Sequence, residues 1–303
     1  MPLPPLQPPA RLSARLWGTT KGIVVGSLLF STLIMSNAVQ TASLVIKPFS
    51  ARTFRRINRE IADYWWGLCD KFSEHLYKIK IIFSGDDVPS KENAFVMPNH
   101  QEMADITVLF RLARRKGRLG DMKWFVKDIL KYTPGVGWGM LFLDCLFIKR
   151  DWTSDKEKVH RVFETLLDNK VPVWLVSFLE GTRVRPAKLI KSREYAEKTG
   201  RKALNHLLIP RSKGFVASVE NLREHLDAVY DVTIGYVEGV PTLWQWIQGY
   251  VRQVHVHVRR YTITELPRGE KALEDWLRIR FEEKDLLLDQ YYANGVFPET
   301  FGP

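Results

Sequence analysis

The stretch AFVMPNHQEMAD, residues 94–105, opens as a strand and closes as a helix. Residues 94–97 are a short apolar run of the kind that buries as a strand. Five residues of regular helix turn through about 500°, so His100 and Asp105 would not share a face if both lay mid-helix. They can meet if His100 sits in the strand-to-helix loop and Asp105 in the first helical turn. A carboxylate there is favoured by the helix dipole and can hold one imidazole nitrogen, which leaves the other as a base. The bland alternative is a capping aspartate beside a loop histidine, and a His-x4-Asp spacing alone is a weak signal.

Outward from this stretch, short apolar runs alternate with helical segments. Residues 123–126, 145–148, 171–178 and 207–209 read as further buried strands, and 154–169 as a helix between two of them. In that helix Ser154 and Glu157 have the form of a capping box, and Val159, Val162, Phe163, Leu166 and Leu167 fall on one stripe. Residues 232–237 and 254–263 add later strands, and 272–292 is a closing amphipathic helix. Such alternation predicts an α/β domain over residues 86–303, with a mainly parallel twisted sheet flanked by helices.

Residues 1–21 are proline-rich and basic and read as a flexible arm. Residues 22–46 carry no charge. A helix of that length would reach about 37 Å, enough to cross a hydrocarbon layer of about 30 Å. Basic residues flank the run on both sides, so the positive-inside rule assigns no orientation, and a helix pair that enters and leaves by one face suits them equally. The second arm falls at residues 61–82, made amphipathic by Asp63, Asp70, Lys71 and Glu74. Residues 22–85 therefore predict an N-terminal membrane-embedded helical motif, with soluble core helices as the alternative. Residues 241–247, through Trp244 and Trp246, are a second candidate contact with a membrane interface, with two partly buried tryptophans under a loop as the equal alternative.

A formal net charge of +11 favours polyanionic partners: nucleic acid, anionic lipid or phosphorylated substrates. No nucleic-acid motif or basic–aromatic array accompanies the charge, so no nucleic-acid partner is expected. Cys69 and Cys145 belong to no CxxC pair and read as reduced thiols of a cytosol-facing protein. His255 and His257 alternate with valines on one strand face, which suits the polar side of a half-buried strand better than a metal site without a third ligand. The absence of G-x-S-x-G disfavours a serine hydrolase.

Three more stretches place cations at predicted strand ends: residues 147–150 (Phe-Ile-Lys-Arg), 178–183 (Phe-Leu-Glu-Gly-Thr-Arg) and 209–215 (Ile-Pro-Arg-Ser-Lys-Gly-Phe). Ligands of open α/β sheets collect at the carboxyl ends of strands, where arginine forks suit phosphate and glycine lets the backbone approach.

These four blocks, in this order, resemble the glycerolipid acyltransferase family, the 1-acyl-sn-glycerol-3-phosphate acyltransferases and their relatives. Asn99, His100 and Asp105 match its NH-x4-D block; Phe147, Ile148 and Arg150 match F-I-x-R. Residues 180–183 match EGTR without change, and residues 208–210 match the proline-containing block. The tail, with residues 255–261, Trp276, Glu283-Lys284-Asp285 and Phe297-Pro298, is similar to the eukaryotic branch that includes lysophosphatidylinositol and lysocardiolipin enzymes. Some relatives carry further hydrophobic helices after this domain; here the sequence ends at Pro303 without one, as a shorter or truncated member would.

The resemblance implies single-displacement acyl transfer from acyl-CoA, a co-substrate, to the free hydroxyl of a lysophospholipid, with no bound cofactor and no metal. His100 would be the base and Asp105 its partner. Glu180, Gly181, Thr182 and Arg183 would hold the glycerol-phosphate, assisted by Arg150, Pro210 and Arg211. Lysophosphatidate is the first acceptor, with lysophosphatidylinositol or lysocardiolipin remodelling as the alternative. The lipid bilayer is the expected partner and the endoplasmic reticulum membrane the expected place, with the catalytic domain facing the cytosol; a mitochondrial or lipid-droplet surface is the alternative. A non-catalytic membrane-surface scaffold is the reading from a different class.

Overall fold

The computed structural model describes residues 4–149 and 152–298. Two N-terminal helices, α1 (Leu12–Ala42) and α2 (Ala51–Lys71), form a hairpin. Ser50 caps α2 by accepting the Thr53 N–H at 3.1 Å. The arm expected over residues 1–21 is corrected on two counts. Helix α1 starts at Leu12, because no proline follows Pro9 before the apolar run. Residues 4–11 are also tied down: Leu6 N donates to Val240 O at 2.9 Å and Val240 N to Pro4 O at 3.0 Å.

With its following turn, α1 spans Leu12–Val45, and 28% of its most apolar window is buried. Among the described residues it is the one helix long and apolar enough to cross a membrane. Gly18 and Gly22 let the loop around residues 244–250 press against it; a Cβ at Gly18 would lie 2.4 Å from the Tyr250 ring. Trp246 is buried in the core and Trp244, half exposed, packs over Gly22, so the two are not presented as an interfacial pair and the alternative of partly buried tryptophans is the one observed.

Helix α2 ends earlier than the arm expected over 61–82, in a π turn (Phe72–Leu76), and Lys78 at φ 54° breaks the run. The chain then enters β1 (Lys80–Gly85), a strand whose isoleucines mimic a helical stripe in the sequence. There follow β2 (Ala94–Pro98), α3 (Ala104–Arg115), β3 (Met122–Lys127), α4 (Val136–Leu141), β4 (Leu146–Ile148), α5 (Trp152–Asp168), β5 (Trp174–Val176), α6 (Pro186–Lys198) and α7 (Ser212–Leu222). The chain closes with β6 (Ala228–Tyr236), α8 (Leu243–Ile247), β7 (Gln253–Thr262) and α9 (Glu270–Asn294). The Ser154–Glu157 box lies inside α5 and does not start it. Residues 207–209 form no strand, because their N–H groups go to side chains: Leu208 N to Glu180 at 2.9 Å and Ile209 N to Ser192 Oγ at 3.0 Å.

The strands make one sheet in the order β1-β7-β6-β2-β5-β3-β4. Every neighbouring pair is parallel except β6–β7. Side chains alternate across it as a strand requires. Ala94 and Val96 of β2 face α2 and α3, whereas Phe95 and Met97 face α5, α7 and α9. The result is a mainly parallel α/β sheet covered on both faces.

Three consecutive residues of α9 bind three different elements behind the sheet. Glu283 pairs with Arg259 of β7 at 2.7 Å. Lys284, wholly buried, pairs with Asp231 of β6 at 2.6 Å and donates to Met97 O at 2.7 Å and Val232 O at 3.1 Å. Asp285 accepts the N–H groups of Asn205 and His206, each at 2.7 Å.

His255 and His257 are both buried rather than on a polar half-exposed face, packing against Tyr291 and Phe297. Burial lowers both imidazoles below their ordinary value. The folded state thus keeps them neutral while the unfolded chain takes up protons below about pH 6.5. Their contribution to stability is present above that value and is lost as the pH falls. Melting temperature should drop between pH 7.5 and 5.5 by more than in the His257→Gln variant; identical slopes would contradict this origin.

Candidate active site

Strand β2 ends at Pro98 and the chain turns into α3 through residues 99–103. Asn99 fixes the start of that loop: its Oδ1 accepts Ile234 N at 2.7 Å and its Nδ2 donates to Ile234 O at 3.1 Å. The side chain thus continues the β2–β6 ladder for one more step.

His100 is held on all sides but one. Its Nδ1 lies 3.0 Å from Asp105 Oδ2. Its ring stacks on Phe178, with centroids 3.9 Å apart and planes at 22°. Its backbone N donates to Glu180 Oε1 at 2.7 Å, and its carbonyl accepts Val184 N at 2.9 Å. Asp105 is fully buried in the first turn of α3. Oδ2 also accepts Gln101 N at 2.7 Å and Glu102 N at 2.9 Å, and Oδ1 accepts the Tyr236 hydroxyl at 2.7 Å. An ionised carboxylate only accepts, so the imidazole proton sits on Nδ1 and Nε2 carries the lone pair. Among the described residues Nε2 makes no hydrogen bond.

Tyr236 is a partner that the sequence reading missed, standing 131 residues from Asp105. Burial, reinforced by the Asp105 charge, raises its phenol well above the ordinary value, so it stays a donor. Tyr236→Phe leaves Oδ1 without that donor at a cost of about 1–3 kcal/mol. A fall in kcat of roughly tenfold is expected, the equivalent of about 1.4 kcal/mol in the barrier. A variant with wild-type kcat would show that this bond does not steady the pair.

Glu180 departs from its expected role. It is buried, and both oxygens are used: one by His100 N, the other by Leu208 N. Burial pushes its carboxyl up to about 8 against those two donors. It joins three loops, and both of its oxygens are spent on backbone N–H groups. Gly181 does need to be glycine, because its φ is +69° and a Cβ would lie 2.7 Å from Arg211 Nε.

Arg183 is also committed, since it and Arg185 both bind the Glu102 carboxylate. Burial works to raise that carboxyl, but the Met103 N–H and the two guanidiniums outweigh it and hold it low. The outer side of Arg183 remains 42% exposed. Glu102 lies inside the loop motif itself, yet nothing in the spacing marks it as the anchor of both arginines. Arg150, the remaining expected cation, lies outside the described residues.

Thr182, Pro210 and Arg211 meet at an open cleft of about 900 Å³ beside the ends of β3, β4 and β5. Phe178 is part of its wall; His100, which stacks on that ring, is not. Burial pushes the Cys69 and Cys145 thiols up to about 12 and about 11, so neither is a thiolate at neutral pH. Among the described residues no three histidine, cysteine or carboxylate side chains converge as metal ligands.

An imidazole fixed by a buried carboxylate at the carboxyl edge of an α/β sheet is the equipment of an acid–base enzyme. Residues 80–237 match the family model described as Acyltransferase, and residues 245–302 match the one described as Acyltransferase C-terminus. The enzyme class is therefore acyltransferase. Probable 1-acyl-sn-glycerol-3-phosphate acyltransferase 5 of Arabidopsis thaliana is 34% identical over 92% of this chain and 75% of its own length. 1-acyl-sn-glycerol-3-phosphate acyltransferase delta of Mus musculus is 33% identical over 88% and 72%. The crystal structure of the 1-acyl-sn-glycerophosphate acyltransferase PlsC from Thermotoga maritima shares the fold, with a TM-score of 0.56 at 15% identity, over 92% of this chain and 96% of that one. The chain belongs to the glycerolipid acyltransferase family.

Proposed function

We propose that this protein moves a fatty acyl group from acyl-CoA to the free hydroxyl of lysophosphatidate. The observation that carries the proposal is the commitment of His100 Nδ1 to a carboxylate that already receives three other donors, which leaves Nε2 as the proton acceptor. Nε2 takes the hydroxyl proton while the hydroxyl oxygen attacks the thioester carbonyl carbon. The C–S bond then breaks, and the departing CoA thiolate takes the proton back from the imidazolium. Asp105 steadies the imidazolium between these steps, and no acyl-enzyme forms. The names of the relatives support a glycerol-3-phosphate acceptor.

The exposed side of Arg183 is the proposed grip on the acceptor's phosphate. Arg183→Ala should raise the KM for lysophosphatidate about tenfold or more and leave that for acyl-CoA nearly unchanged. The acceptor panel should include lysophosphatidylinositol, lysophosphatidylglycerol and lysocardiolipin. An Arg183→Ala effect confined to acyl-CoA would reverse the substrate assignment, and a wild type that prefers another lysolipid would displace lysophosphatidate.

A membrane seat follows from lipid substrates, and we place it at α1. Leu16, Trp17, Val24, Phe30 and Met35 of this helix are exposed. Helix α4, which packs on α1 through Gly135 and Leu33, adds the exposed Trp138 and Leu141 to the same apolar region. The proposed membrane is the endoplasmic reticulum, with the catalytic domain on the cytosolic side.

A further inference from the structure

We infer that the cleft beyond Phe178 holds the diphosphate and 3′-phosphate of the CoA donor, with Lys188 and Lys191 of α6 among the phosphate ligands. This rests on the acyl-CoA reading above, and Lys188 and Lys191 lie outside the four motif blocks.

Six cations line the cleft: Lys127, Lys188, Lys191, Arg201, Arg211 and Lys213. Its walls also hold three carboxylates, Asp155, Glu180 and Glu274. Each of these already accepts a hydrogen bond from the protein: Asp155 from Lys149 N, Glu180 from His100 N and Leu208 N, and Glu274 from the Ser212 hydroxyl. Among the described residues none of the six cations forms an ion pair, whereas Arg183 and Arg185 share Glu102 and Arg111 and Arg114 share Asp70 and Glu74. Like charges gathered around one cavity repel one another, and a polyanion relieves that repulsion.

The position of the base outside the cleft lining decides which substrate supplies the polyanion. In lysophosphatidate the phosphate and the reacting hydroxyl sit on neighbouring glycerol carbons, so that phosphate must lie close to His100. The imidazole stacks on Phe178 but does not itself line the cleft. CoA keeps its phosphates a whole pantetheine arm away from the thioester, and a cationic cleft that the base does not line suits that arrangement. Phe125, Tyr195, Ile209 and Pro210 add apolar wall against which an adenine can lie. The cleft's volume is also that of a nucleotide-sized ligand site, larger than one phosphate needs.

The test compares donors with and without the nucleotide. Full-length wild type and the Lys188→Ala/Lys191→Ala double variant are assayed in detergent with oleoyl-CoA, with S-oleoyl-pantetheine, which carries no phosphate, and at varied lysophosphatidate. Both lysines are solvent-exposed on α6, so the fold should survive their loss. The KM for oleoyl-CoA should rise about tenfold in the variant, while the KM values for the truncated donor and for lysophosphatidate stay within about twofold. An unchanged KM for oleoyl-CoA, an equal rise for the truncated donor, or a rise for lysophosphatidate instead would each overturn the cleft assignment. A wild type that turns over neither donor would refute the acyl-CoA reading, and the cleft assignment would fall with it.

Discussion

His100→Ala is expected to lower acyl transfer by about 10²- to 10⁴-fold, the contribution of a positioned general base. It is also expected to leave the protein folded. The backbone bonds of residue 100 to Glu180 and Val184 do not involve the ring. Asp105 keeps three donors after the imidazole is gone: Gln101 N, Glu102 N and the Tyr236 hydroxyl. The loss of ring stacking on Phe178 is a cost of about 0.5–1.5 kcal/mol. Turnover of labelled acyl-CoA, measured beside a melting curve, checks both halves of the expectation. Activity within tenfold of wild type would remove His100 from the chemistry. Asp105→Asn is a poorer probe, because an amide cannot replace a carboxylate that accepts from two backbone N–H groups and a phenol at once, so folding and catalysis would fail together.

Lys284→Met is expected to destabilise the fold by roughly 3 kcal/mol, since it leaves Asp231 as a buried charge without its ammonium partner. It also removes the donor that joins Met97 O, at the end of β2, to Val232 O of β6. The loop carrying His100 begins at Asn99, two residues after the pinned Met97, so kcat should fall along with stability. The double variant Lys284→Met/Asp231→Leu removes both charges and should recover most of the stability. Denaturant unfolding of the single and double variants measures the difference. A single variant that loses less than about 1 kcal/mol would show that the pair does not hold β6 against α9.

Much of this arrangement was legible in the sequence, and the limits have physical causes. The strand-to-helix passage at residues 94–105 could be read because an apolar run is followed by a carboxylate in the first turn of α3. The alternative of a capping aspartate proved compatible with the pairing, not opposed to it. Asp105 accepts the N–H groups of Gln101 and Glu102 through the same oxygen that receives the imidazole. What spacing could not convey was which charges neutralise one another. Arg183 and Glu180 read as free groups at a strand end, yet one is spent on Glu102 and the other on two backbone N–H groups. Tyr236 was hidden for a related reason, since only the β2–β6 register brings it to Asp105. Strand β1 escaped because its two isoleucines continue the apolar spacing of α2, and only the left-handed Lys78 interrupts it. The lysines of α6 drew no attention because a basic helix face ordinarily means contact with water. Their meaning depends on the empty space they surround.

The most direct test of base-assisted transfer without an acyl-enzyme is the release of free CoA from acyl-CoA by the purified wild type, followed with and without lysophosphatidate. The expected result is release only when lysophosphatidate is present, one CoA for each acylated product, with no acyl group bound to the protein. Release at the same rate without the acceptor, or acyl label retained on the denatured chain, would contradict it.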